Sequence, residues 1–451
     1  MFDLEVNIRS WSDHLRARGN LTEPDIVELE NHLRDEIEDL TAAGLAPDEA
    51  FLISVKRLGN VNAISQEYSK VNAENLWKHL LFDAVDPVTG TENRRNIGLV
   101  ILFSLLAGTL AQIPKLFGIS MDNPGTDFIY FRNLSLFILP LVALFFAIKH
   151  KLPRKMTAAI LLVFGLTAVV INLYPSVSPH NTGALTGFHL PLFLWLLTGV
   201  AYLGAEWQVS RRRMDFIRFT GEAFIYGVLV FAGVMVLLGF TNAIFSAIQI
   251  DLSHLMEEYL VIYGGCTAVM ITMYLVEAKK SIVENFAPIL AKIFSPLFLI
   301  VMAVFLAVMV ITGKSPFLER DFLIAFDFML VLVLGLVLYV ISARGTHDQA
   351  NLFDYMNVAL IVLALVIDGV ALSAILFRLS AFGVSPNRIA ALGENLVLLV
   401  NLGGLAWLYV RYLTQKIEFE HVEIWQTAYL NVYAVWMAIV AFGFPIIFGF
   451  R

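Results

Sequence analysis

After Asn96 the apolar positions of this chain stop alternating with polar ones and run together in long blocks. About eleven blocks, at 97–117, 128–148, 156–174, 188–206, 220–241, 258–276, 293–312, 322–342, 355–377, 390–412 and 427–449, approach or exceed the ~20 residues that a helix needs to cross ~30 Å of hydrocarbon. They predict an all-α, multi-pass transmembrane domain over 97–451. The stretch from Thr241 to His254 is apolar without a clear stop, and either extends the fifth helix or lies along the interface. Before the blocks the pattern is that of short amphipathic helices. Leu4, Ile8, Trp11 and Leu15 recur at helical spacing and predict a first helix that closes near Gly19-Asn20. A second is expected from Thr22 as N-cap, with Pro24 in its first turn, Asp25 at the capping-box position and Leu21 and Ile26 as a hydrophobic staple. Its apolar stripe is Ile26, Leu29, Leu33, Ile37 and Leu40, and Gly44 ends it. A third starts around Pro47, buries Phe51, Val55 and Leu58 and stops at Gly59; a short fourth carries Val61, Ile64 and Tyr68. The reading is a cytosolic helical bundle over 1–75, a linker over 76–96, and the membrane domain.

Composition agrees: the chain is 451 residues long and 58% hydrophobic, with a mean hydropathy of +0.73, well above the soluble range. The net charge of −7 is unevenly placed. Residues 1–95 hold 10 Lys and Arg against 18 Asp and Glu, a balance of −8, which leaves +1 for the rest. So acidic a module is repelled by nucleic acid and anionic lipid, and a basic protein partner fits it better. Its second helix presents Glu28, Glu30, Asp35, Glu36, Glu38 and Asp39 opposite the apolar stripe, which reads either as a solvated face or as a docking surface. Cys266 is the one cysteine, so no intrachain disulfide or cysteine metal cluster is expected. Met1-Phe2-Asp3-Leu4-Glu5 lacks the basic region of a signal peptide, which leaves insertion to the first transmembrane helix.

Orientation follows from the distribution of Lys and Arg. With the N-terminus inside, the cytosolic loops hold fourteen: Lys149, Lys151, Arg154, Lys155, Arg211, Arg212, Arg213, Arg218, Lys279, Lys280, Lys292, Arg344, Arg411 and Lys416. The opposite side holds seven: Lys115, Arg132, Lys314, Arg320, Arg378, Arg388 and Arg451. A two-to-one bias places the N-terminus in the cytosol, and an odd number of spans places the C-terminus outside.

An ionisable side chain at mid-membrane costs about 3 kcal/mol on insertion scales, so each one is a functional candidate. Asp368, within Val366-Ile367-Asp368-Gly369-Val370, lies near mid-depth of the ninth span with no basic residue within a turn. A carboxyl in apolar surroundings favours its protonated form, which suits a proton carrier. Asp327 in the eighth span and Glu394 and Asn395 in the tenth lie about a turn and a half from the outer end, and Asn401 is near mid-depth. Together they are expected to line a polar cavity open to the outside, with Asp368 at its floor. The structural alternatives are that Asp327 and Glu394 pair with Arg378 and Arg388 at the rim, that Asp368 makes a hydrogen-bonded interhelical contact, and that Asn401 is interhelical glue. Glu222 is expected to pair with Arg218 one turn earlier, and Glu206 with Trp207 to anchor an interface beside Arg211, Arg212 and Arg213. His180 and His189 flank an outer loop without a matching ligand set, so no metal site is expected there. Pro140, Pro296 and Pro445 fall within apolar runs and predict kinks or breaks.

Two resemblances attach to particular residues. Glu28-Leu29-Glu30-Asn31-His32-Leu33-Arg34-Asp35-Glu36-Ile37, then Gly44-Leu45, Ala50-Phe51 and Lys56-Arg57-Leu58-Gly59-Asn60, resemble the bacterial permease-prefix or helix-turn-helix-associated alpha-helical signalling domain over roughly residues 5–72. That resemblance implies a cytosolic adaptor fused ahead of a permease-like region in the bacterial inner membrane, and no catalytic residues. Phe382-Gly383-Val384-Ser385-Pro386-Asn387-Arg388, followed by Leu392, Glu394, Asn395 and Asn401, is similar to the signature of a bacterial multi-pass family known as domain-of-unknown-function family 4153, which usually reads Tyr-Gly-Leu-Thr-Pro-Asn-Arg. It implies a polytopic membrane protein and no activity. From the residues themselves, Gly383 and Pro386 make a turn, and Ser385 or Asn387 caps the next helix.

Two functions remain: a permease, in which Asp327, Asp368 and Glu394 handle a proton or cation, and a membrane scaffold that recruits a cytosolic protein through its acidic helix. Nucleophile–base dyads, His-Glu-x-x-His, phosphate-binding glycine loops and nucleotide-binding motifs do not occur, so neither catalysis nor a cofactor is expected.

Overall fold

Helix is the only regular structure among the described residues, which in this computed structural model are 4–17, 23–42, 45–58, 87–119, 126–175, 177–278, 286–313, 317, 320–344 and 350–450. The chain divides into two units, Met1–Asn93 and Arg94–Arg451.

The first unit contains α1 (Leu4–Ala17), α2 (Glu23–Ala42) and α3 (Pro47–Leu58). Their stripes meet as the spacing predicts: Ile8, Leu33, Ile37 and Ala50 are buried together, with Leu4, Trp11, Leu40, Phe51 and Val55 against them. Part of the acidic face of α2 turns inward. The Ser12 hydroxyl donates to Glu30 Oε2 at 2.8 Å, and Arg34 clamps Glu30 at 2.9 Å and Glu5 at 2.6 Å. The direct hydrogen bond from Arg34 holds the Glu5 carboxyl below its ordinary 4.5, and the same pairing raises Arg34. The expected cap at Thr22, the closures at Gly19-Asn20, Gly44 and Gly59, and the fourth helix lie outside the described residues.

The second unit is an all-α polytopic fold with, among the described residues, eleven helices long and apolar enough to cross a membrane. They are α4 (Pro87–Gln112, apolar from residue 94), α5 (Asp127–Lys149), α6 (Arg154–Leu173), α7 (Asn181–Leu203), α8 (Ser210–Ala247), α9 (Ser253–Ala278), α10 (Phe286–Thr312), α11 (Arg320–Ala343), α12 (Leu352–Phe382), α13 (Pro386–Leu413) and α14 (Glu420–Ile447). At 38 residues α8 is ~57 Å long, nearly twice a ~30 Å hydrocarbon layer, so the apolar residues after Thr241 extend the helix.

Two cores hold this unit. One gathers Val100, Phe146, Phe164, Leu194, Phe219 and Met273, from α4 to α9; the other gathers Phe326, Val337, Ile361, Ile367, Leu402 and Tyr409, from α11 to α13. Both draw on α8, through Phe219 in the first and Met214 and Ile217 in the second. At the α12–α13 turn, Gly383 takes a positive φ of 77° as C-cap, Ser385 accepts from the Arg388 amide at 3.4 Å, and Pro386 opens α13. Of the two caps offered by the sequence, Ser385 is the one used.

Candidate functional site

Asp368 has no exposed surface, and neither carboxyl oxygen has a hydrogen-bond partner. It faces inward on α12 beside Ala364, Ile367 and Ala371, all wholly buried. A charged carboxylate without a donor there costs several kcal/mol, and the neutral acid far less. Since no water-accessible surface reaches Asp368, the expected open cavity with Asp368 at its floor is absent from this arrangement.

The other predicted residues do converge. Asn395 on α13 donates its side-chain amide to Asp327 Oδ1 on α11 at 3.0 Å and to the Ala391 carbonyl at 2.9 Å. Asp327 lies within electrostatic range of both Glu394 and Asp368. Asn401 stands apart in a structural role. Its amide donates to the Tyr433 hydroxyl at 2.7 Å, and its side-chain oxygen accepts from Trp425 Nε1 at 3.0 Å, binding α13 to α14.

The rim arginines do not pair with the acids. Among the described residues, Arg388 donates to the Phe382 and Gly383 carbonyls at 2.8 and 2.6 Å, and Arg378 lies over the Phe382 ring. The cause is local: the turn places free helix-end carbonyls nearer to Arg388 than any carboxylate. Glu394 instead meets His189 Nε2 of α7. His189, expected beside an outer loop, lies two turns inside a helix, because α7 begins at Asn181. Thr182 and Thr186 weaken the hydropathy of those turns and hid them. The useful signal was spacing, because Thr182, Thr186 and His189 fall on one face at i, i+4 and i+7 and are all buried.

The chemistry of this pair is specific. His189 Nδ1 faces the Leu185 carbonyl at 2.8 Å, and a carbonyl only accepts, so Nδ1 carries a proton. Nε2 faces the Glu394 carboxyl, and a hydrogen bond between them needs one proton, carried by either partner. A second pair is wired alike: His150 Nδ1 donates to the Tyr202 carbonyl at 2.6 Å and Nε2 meets Glu277 at 3.1 Å, with Lys149 at 3.6 Å. His189–Glu394 differs in adjoining the Asn395–Asp327 bond, which leads towards Asp368.

The remaining expectations divide. Glu206 pairs with Arg212 at 2.8 Å, and Arg213 lies over the Trp207 ring. Arg218 donates to the Ser342 carbonyl of α11. Pro140 and Pro296 sit inside α5 and α10. Pro445 follows a π-helical turn at Ile439–Gly443. Lacking an N–H, it cannot serve the Ala441 carbonyl, which accepts from Thr186 at 3.1 Å instead. In the first unit Asp35 and Glu38 are exposed and Glu36 is half-buried, while the side chains of Glu28 and Asp39 lie outside the described residues.

No protein-family model matches this chain, nor does any curated protein or solved structure.

Proposed function

We propose that this chain is a permease-like protein of a bacterial cytoplasmic membrane, a proton- or cation-coupled transporter or channel with its N-terminus in the cytosol and its C-terminus outside. The charge bias of the loops supports the orientation. The resemblances to the permease-prefix domain and to the family 4153 signature support the class. One observation carries the transport reading: Asp368 is sealed, unpartnered and within range of a carboxyl row that begins at the His189–Glu394 pair. A purely structural residue at that depth would be expected to keep a hydrogen-bond partner, as Asn401 does. In this reading the arrangement is an occluded, neutral state. His189 and Glu394 receive or release the proton at the outer side. Asp327, oriented by Asn395 and within electrostatic range of both Glu394 and Asp368, connects them, and helix movement admits the water that completes the path.

The test is proton flux in proteoliposomes, wild type against Asp368→Asn. Flux that falls tenfold or more on substitution supports the pathway. Equal flux in the two removes Asp368 from it, and no flux from folded wild-type protein favours a second reading. That reading is a scaffold recruiting a cytosolic protein through α2, and the exposure of Asp35 and Glu38 supports it. Reversing both charges then abolishes co-purification of the partner without disturbing membrane insertion.

A further inference from the structure

A second buried charge lies outside this row. Arg132, on the second turn of α5, is only 6% exposed, and its Nε has no hydrogen-bond partner. Among the described residues no carboxylate pairs with it. It lines a small cavity, open at one side, of about 10 Å³, room for one water-sized group. Among the described residues no acidic side chain lines that cavity. The first turn of α7 opens onto it through Thr182 and Gly183, and the N-cap residue His180 makes no side-chain hydrogen bond to the helix. A 23-residue helix therefore directs uncapped N–H groups and the positive end of its dipole into the cavity that the guanidinium lines. Phe128, Tyr174 and Phe450 form the apolar part of the wall.

A guanidinium taken out of water without a counter-charge costs several kcal/mol. Among the described residues none is supplied here, and the start of α7 on the same cavity wall favours negative charge. We propose that this cavity binds an oxyanion, a phosphate or carboxylate group, with one oxygen at the floor between Arg132 and the α7 N-terminus. Its substituent leaves through the mouth between the aromatic rings. A lipid headgroup and a soluble anion present the same chemistry to Arg132. The site does not depend on the transport reading, since none of its residues belongs to the carboxyl row.

The experiment measures thermal unfolding of the delipidated full chain in uncharged detergent at constant ionic strength. It is titrated in one arm with inorganic phosphate and in the other with short-chain phosphatidylglycerol. Wild type is expected to gain stability in at least one arm: phosphate identifies a soluble anion, phosphatidylglycerol alone a headgroup. Arg132→Gln should shift the titration about tenfold or more to higher concentration, as loss of a charge-assisted hydrogen bond implies. Gly183→Asp provides a check that leaves Arg132 in place. A Cβ at Gly183 meets nothing within 4 Å, so the protein should fold, and the new carboxylate should occupy or repel the anion's place. No stabilisation of wild type in either arm, or titrations of both variants that match wild type, overturns the proposal.

Discussion

Asp368 and Asn401 are both wholly buried polar residues in neighbouring helices, and their surroundings separate them. Asn401 spends its polar atoms on Tyr433 and Trp425, while Asp368 has nothing to lose. Asn401→Ala should therefore cost about 1–3 kcal/mol of stability, because it strands buried partners. Asp368→Ala should cost less than that or stabilise; thermal unfolding of the two variants in one detergent decides. A loss at Asp368 equal to that at Asn401 would show that it holds the fold. Glu5 supplies a pH test in the first unit. Its carboxyl is lowered by Arg34, so its contribution is complete above the ordinary 4.5 and disappears as pH falls through the lower folded value. Amide exchange in α1 should accelerate on that acidification, and Arg34→Met should remove the dependence.

Between elements, close approach depends on small residues facing large ones. Gly393 and Gly404 on α13 receive the rings of Trp436 and Trp425 from α14, and a Cβ at either would overlap the indole. Gly393→Ala should destabilise the protein by about 1–3 kcal/mol through overpacking. Trp436→Ala in the same chain should recover part of the loss, since contacting residues are not additive. Additive losses in thermal unfolding would mean that the two helices do not meet there. The same scale explains Pro445. A proline in an apolar run is visible in the sequence, but the carbonyl it frees at Ala441, and the Thr186 hydroxyl that takes it, are brought together only by packing.

Across the whole membrane unit, the His189–Glu394 pair joins a helix of the first core to one of the second, α7 to α13. In the transport reading His189→Gln and Glu394→Gln act on one proton, so the double variant should transport no worse than the more damaged single variant. Independent, multiplying losses of flux would separate them into two roles. A pairing of this kind extends over 205 residues of chain, beyond any local pattern.

Hydropathy alone determined the class of this protein, the number of long apolar helices and the stripes of the N-terminal bundle. Each reflects a local property, since a run of about twenty apolar residues has few alternatives to a membrane-spanning helix. Asp327, Asp368, Glu394 and Asn395 were legible for the same reason, as polar residues where lipid makes them expensive. Partnership was not. That Glu394 meets His189 rather than Arg388, that Asp368 is sealed rather than at a cavity floor, and that Arg132 is buried beside the start of α7 follow from which faces of distant helices touch. Only the tertiary structure decides that contact, because helices in a low-dielectric interior are positioned by side-chain fit and polar satisfaction across the whole assembly.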